Sequence, residues 1–263
     1  MAKSLHAAFY PNQTVSKTSL QLIGMAWAAC ALAFWSTSRL EVVPTPMAVL
    51  RAFQVLWMQE GLSRELWTSF KLNLVAIGYT TVISLCISYL TVLPVLRPLG
   101  LFISKLRFLG LTGLTFLFTM MVSGGYQLKL WLLVFGMTVF FVTSMCSVVA
   151  EVPKDKLDYA RTLRMSEWRV VWEVVVLGTA DQAIEAMRQN AAIGWMMLTV
   201  VEGLSRSDGG VGAMLLNQNK HFHLDSVFAI QIAILVIGLG QDYMMGMFKR
   251  AVCPYAYLKL AAG

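Results

Sequence analysis

EVPKDKLDYARTLRMSEWRVVWEVVVLGTADQAIEAMR, residues Glu151 to Arg188, holds 13 of the 35 charged residues in a chain of 263. Long apolar runs lie on either side of it. So many charges cannot lie in hydrocarbon, yet apolar residues recur among them at helical spacing, so the stretch reads as folded protein in water beside a membrane. Pro153 suits a first helical turn, and Asp155 and Asp158 suit the positive end of the helix dipole. Arg164-Met165-Ser166 reads as a break, with Ser166 placed to cap a second helix. Trp168, Val171, Trp172, Val175 and Val176 then follow at i, i+3, i+4, i+7 and i+8, an apolar stripe. Thr179 and Gln182 have the spacing of a capping box that opens the next span. The expected product is two short helices on a membrane face.

Composition supports the membrane. The chain is 57% apolar and 13% charged, about half the charge of an ordinary soluble domain. The net charge of +7 is spread between apolar runs instead of forming one basic stripe, which fits membrane orientation and not nucleic acid. A hydrocarbon core about 30 Å thick takes roughly 20 helical residues. Runs at about 19–38, 66–93, 106–123, 126–150, 183–204 and 226–248 meet or approach that length. The third is the weakest, being short and interrupted by Gly110 and Gly113. The expected fold is an all-α polytopic membrane protein of about six spans. Unpaired backbone is too costly in lipid, and the runs are too long for barrel strands. With the N-terminus inside, 14 Lys and Arg fall on the inner side and 7 on the outer, so both termini and the charged insert are expected in the cytoplasm. The expected division is a cytoplasmic segment over 1–18, one transmembrane domain over 19–250 with its insert at about 151–182, and a cytoplasmic tail over 251–263. No cleavable leader is evident in the first apolar run.

The remaining features are plainer. Pro44-Thr45-Pro46 leads into Met47 to Met58, expected as a short helix at the outer interface. Ser123-Gly124-Gly125 reads as a tight external turn, and Gly203 to Gly212 as a longer external connection. Cys30, Cys86, Cys146 and Cys253 lack metal-like spacing and read as buried thiols. His221 and His223 supply at most two ligands, so no metal site is expected. There is no G-x-x-x-x-G-K-[ST] run, so the chain has no phosphate-cradling loop of its own, and no catalytic Ser-His-Asp or Cys-His arrangement is recognisable. The chain reads as a non-enzyme.

The insert resembles the coupling loop of permease subunits of binding-protein-dependent ABC importers. That pattern is Glu-Ala-Ala, three residues, Gly, nine residues, Ile-x-Leu-Pro. Its triplet falls on Tyr159-Ala160-Arg161, its glycine on Met165 and its ending on Val175-Val176-Leu177-Gly178. Ala160 and Leu177 match outright. The flanks are similar to the nitrate, sulfonate and taurine branch. Arg188, Trp195 and Glu202 stand seven residues apart, Pro44-Thr45-Pro46 precedes the second span, and Gly210-Val211-Gly212 follows the Glu. Asp225 to Ala229 opens the sixth span, with Asp242 near its end. The resemblance covers about 42–250. The chain departs from the pattern at Met165, where a glycine is usual, at Gly178, where a proline is usual, and around Leu109 and Leu114, where prolines are usual.

The resemblance implies a type I ABC importer permease-like fold in the bacterial inner membrane. It implies a homodimer with the pathway between subunits, and an extracytoplasmic binding protein that delivers a small, often anionic solute. No cofactor is expected on this chain; ATP and Mg are expected on a partner ATPase, into whose groove the insert docks. Asp158, Tyr159, Ala160, Arg161, Met165, Ser166, Trp168 and Leu177 are the implied coupling residues. Arg161 and Arg164 would pair with acids on the partner, with a simple solvated charge as the alternative for Arg161. A charge at mid-membrane costs roughly 2.5–3.5 kcal/mol, so ionisable groups there face a bundle interior or water. Glu202, at the outer end of the fifth span, and Asp242, towards the inner end of the sixth, lie near the interfaces and read as structural before substrate-contacting. Arg188 opens the fifth span, and Asn190 and Trp195 along it are candidates to line a pathway, with packing between helices as the alternative for Trp195. The alternatives are an ion-gradient-driven carrier or channel, which needs polar groups near mid-membrane, where the sequence reading finds few, and a non-transporting scaffold whose insert recruits a soluble protein.

Overall fold

A computed structural model describes residues 17–37, 43–205 and 208–254. Most of the expected N-terminal segment and the tail beyond 254 lie outside the described residues. The described residues form helices and connections, with no strand among them. Helix α1 is Lys17–Thr37, α2 Pro46–Met58, α3 Leu62–Leu90, α4 Arg97–Lys105, α5 Leu111–Met121, α6 Gly125–Ala150 and α7 Lys154–Thr162. A short helix α8, Glu167–Val170, runs on through a π-helical stretch, Val171–Val176, and a 3-10 turn, Leu177–Thr179. It leads into α9 Ala180–Leu204, α10 Val211–Lys220 and α11 Leu224–Val252.

The bundle forms where α3, α6, α9 and α11 turn their small and aliphatic residues together. Leu72, Ala76 and Ile77 of α3, Leu133 and Met137 of α6, Leu198 of α9 and Ile230 of α11 belong to one buried cluster. Gly194 lets α9 come close: a Cβ there would stand 2.7 Å from Asn73 Oδ1 and 3.0 Å from Met137 Cε. Small residues at such contacts are the usual device where lipid offers no hydrophobic drive between helices. A second cluster of Phe141, Met145, Ala183 and Ala186 packs towards the insert. Helix α2 is the expected short amphipathic helix. Pro46 opens it, the Thr45 hydroxyl accepts from the Ala48 amide at 3.3 Å, and Val49, Ala52 and Leu56 are buried. Helix α1 is largely unpacked along its length. Its end is pinned by Trp35, which stacks on Phe228 at 6.3 Å and donates to the Pro44 carbonyl at 3.0 Å.

The third span differs from expectation. Residues 106–123 are not one rod: the chain bends by 111° between the limbs Pro94–Phe108 and Leu111–Met121. Leu109 and Gly110 are extended (ψ 123° and 131°), and no side chain caps the second limb. That limb of 11 residues is only about 16 Å long. The segment still changes sides of the bundle. Glu65 near the start of α3 and Lys129 near the start of α6 both bond the loop before α10, while residues from the ends of both helices line one cleft at the opposite end. The chain between α3 and α6 therefore makes one bent crossing. Of the expected spans, α1, α3, α6 and α11 are long and apolar enough to cross alone. Helix α9 is long enough but carries Asp181, Glu185, Arg188 and Glu202.

Candidate functional site

The insert is built from α7 and α8 around one guanidinium. Arg161 donates to Asp158 at 3.0 Å and to both carboxylate oxygens of Glu167 at 3.0 and 3.1 Å, so it ties the two short helices together. The hydrogen bonds from Glu167 first, then Asp158, raise the Arg161 pKa above its already high ordinary value, so it stays cationic. Arg161 is thus used inside the insert, where the sequence reading gave it to a partner. The break falls as expected at residues 164–166, but the left-handed residue is Arg164 (φ 56°) and not Met165. Ser166 sits at the N-cap of α8 without a side-chain capping bond. Thr179 forms no capping box: its hydroxyl donates to the Val175 carbonyl at 2.7 Å and meets Tyr89 Oη at 3.3 Å.

The expected apolar stripe divides. Val175 is buried and Val171 and Val176 are half-buried, while Trp168 and Trp172 are 69% and 58% exposed; Val170, outside the stripe, is buried as well. The π-helical stretch accounts for the split, because an i→i+5 turn brings residues five apart onto one side. Of the implied coupling residues, Tyr159 and Leu177 join Trp168 in facing outward, with Leu163 beside them. Ala160 is 3% exposed, so it lets α7 lie close to the rest of the insert and offers no surface outward.

At the opposite end of the bundle, Glu202 is 1% exposed. It accepts from the Ser69 hydroxyl at 2.7 Å and from the Gly212 amide at 2.8 Å. The Ser69 oxygen accepts in turn from the Val211 amide at 2.9 Å. Glu65 accepts from the Gly210 amide, and Lys129 donates to the Gly209 carbonyl at 2.7 Å. Gly209 and Gly210 have φ of +67° and +107° and lie against the Glu65 and Glu202 carboxylates, where a Cβ would collide. The loop is thereby fastened to α3, α6 and α9 at once. Sequence reasoning found Glu202 and the glycines but missed Glu65, Ser69 and Lys129. The signal was there in Glu65, Ser69 and Asn73 at i, i+4 and i+8.

Between the two ends runs a polar seam that the sequence reading underestimated. Ser69, Asn73, Thr80, Ser84 and Ser88 of α3 are all fully buried. Trp195 is packed between helices: its indole donates to Gln241 Oε1 at 2.8 Å and stacks on Phe70 at 6.5 Å. Asn73 donates to the same oxygen at 3.2 Å. Asn190 is buried with its Oδ1 unpartnered, as are Asn73 Oδ1, Gln241 Nε2 and the hydroxyls of Thr80, Ser84 and Ser88. Nearer the insert, Arg188 pairs with Glu185 at 2.9 Å and Asp242 at 3.5 Å, and Lys249 joins Glu185 at 2.7 Å. The candidates along α9 thus fall into separate settings: Arg188 with Asp242 at one end, Asn190 and Trp195 mid-helix, Glu202 at the other end. No group of three metal-ligating side chains occurs among the described residues. His221 and His223 stack at 6.0 Å, each held by a hydrogen bond within its own loop region.

The chain has known relatives. Over 164 residues it is 25% identical to a putative ABC transporter permease protein of Methanocaldococcus jannaschii, covering 62% of this chain and 57% of that relative. The chain therefore spans little more than half the length of the relative it matches. Residues 69–252 match the family described as binding-protein-dependent transport system inner membrane component. That stretch takes in the seam, the insert and the fastened loop, and the chain belongs to this family of inner membrane transport components.

Proposed function

We propose that the chain is the non-catalytic membrane subunit of an ATP-driven importer, coupled through its insert to a separate ABC ATPase. The observation that supports this most is the build of the insert. Arg161, steadied by Asp158 on its own helix, bridges α7 to α8 through Glu167, and Tyr159, Leu163, Trp168 and Trp172 are left exposed on the braced insert. A solvated linker needs neither the bridge nor exposed aromatics; a surface that carries a partner's movement into the spans needs both. The α8 segment runs on through the π-helical stretch and the 3-10 turn into α9, so a push on the insert reaches Arg188 and the seam along one run of helical turns. The insert end faces the cytoplasm, and the glycine loop faces a binding protein on the other side. Two copies pair around a pathway for a small solute, often anionic, of the nitrate, sulfonate or taurine kind. ATP and Mg sit on the ATPase.

Co-expression with the cognate ATPase and capture on the membrane subunit tests the reading. Wild type should retain the ATPase, and Tyr159→Ala with Trp168→Ala should release it while the chain stays in the membrane. Undiminished capture in that double variant defeats the assignment of this face. The unpartnered hydroxyls along α3 favour a second reading, a carrier driven by an ion gradient, since such a carrier needs polar groups at mid-membrane. Uptake by proteoliposomes containing the chain alone, driven by a proton gradient without ATP, would select it.

A further inference from the structure

A cleft of about 540 Å³ opens at the insert end of the bundle, between α4, the inner ends of α3 and α6, and the insert. Thr91 and Val92, just past α3, line it together with Ala150, the last residue of α6. It therefore lies at the depth where hydrocarbon gives way to lipid headgroups. Leu101, Val149, Val171 and Val175 supply an aliphatic wall. Its cations are Arg97, Lys154 and Arg161. Arg161 is spent on Asp158 and Glu167, whereas no carboxylate among the described residues pairs with Arg97 or Lys154. Lys154 is also the first residue of α7, nine residues long, so the positive end of that helix dipole lies beside the same space. Two unpaired cations and one helix start beside an aliphatic wall want an anion that carries a hydrocarbon chain.

The geometry points to a binding site for the headgroup of an anionic phospholipid, with Arg97 and Lys154 on the phosphate oxygens and the upper acyl chain against Leu101, Val149 and Val175. A free phosphate would use the cations but gain nothing from the wall, which is why lipid is the occupant. The site rests only on the chain spanning a bilayer. It stands even if the insert binds no ATPase.

Native mass spectrometry of the full chain, purified into detergent with defined lipids, tests it. The chain should retain one phosphatidylglycerol in preference to phosphatidylcholine. Arg97→Ala or Lys154→Ala should each weaken retention about fivefold, and both together about thirtyfold, at the usual strength of one basic residue near an anionic surface. Lys105→Ala with Arg107→Ala removes equal charge outside the cleft and should leave retention intact. Val149→Trp, which fills the wall and spares the cations, should abolish retention with the helical circular dichroism unchanged. Equal retention of the two lipids, indifference to the Arg97 and Lys154 changes, or displacement of the lipid by millimolar inorganic phosphate would each overturn the proposal.

Discussion

Arg164 occupies the backbone conformation that L residues avoid, with φ 56° at the corner between α7 and α8. A left-handed non-glycine residue costs roughly 1–2 kcal/mol, and glycine gives back part of that through its own larger loss of freedom on folding. Arg164→Gly should therefore stabilise the insert by roughly 0.5–1 kcal/mol, seen as slower amide exchange over 154–176; unchanged or faster exchange would show that the corner is not strained. The sequence marked the break but placed the glycine-like position on Met165, one residue late, because the family pattern was laid on by spacing. Only the backbone shows which residue turns. At the other end, Ser69 gives to Glu202 and takes from Val211 with one oxygen. Ser69→Ala leaves a buried amide and a buried carboxylate oxygen short of partners and should cost about 1–3 kcal/mol. The neighbouring Thr68→Ala, which loses an exposed bond to its own helix, should cost less than about 0.5 kcal/mol. Equal melting shifts for the two variants would contradict the fastening of the loop through Ser69.

Helices α3 and α9 meet where Gly194 leaves room for Asn73 and Met137. Gly194→Leu drives a branched side chain into that contact and should lower stability by about 1–3 kcal/mol or more, whereas Gly78→Leu on α3, with nothing within 4 Å of its Cβ position, should be tolerated. Similar melting temperatures for both would mean that α9 does not pack as described. The elements themselves were largely legible: long apolar runs place α1, α3, α6 and α11 to within four residues at either end, and the Pro-x-Pro pair announces α2. Two elements were not. The third span looked like a weak rod because hydropathy is blind to direction, and the bend at Leu109-Gly110 is a backbone event that Gly110 permits but does not announce. The stripe from Trp168 to Val176 was read at the α-helical period, and a π-helical stretch rotated the valines inward and left the tryptophans outside. The buried seam on α3 escaped notice because serines and threonines are unremarkable singly. Their common face shows only when 69, 73, 80, 84 and 88 are counted as one row.

Two ends of the bundle are chemically unlike, and that difference predicts which way the molecule faces. The insert end carries exposed Tyr159, Trp168 and Trp172 together with the cleft cations Arg97 and Lys154. The loop end is closed by Glu65, Ser69, Lys129 and Glu202 around four backbone positions. Basic residues are retained on the cytoplasmic side during insertion, so the insert should face inward and the turn at Ser123-Gly124 outward. The two positions lie at opposite ends of α6, a helix of 26 residues and so about 39 Å long, enough to cross the hydrocarbon with some tilt. In a background with the native cysteines replaced, Ser123→Cys should react with a membrane-impermeant maleimide added to intact cells, and Ser166→Cys should react only after the membrane is opened. The reverse pattern would put the insert outside, where no nucleotide-driven partner could reach it. Labelling of both sites from outside would mean that α6 fails to cross the bilayer.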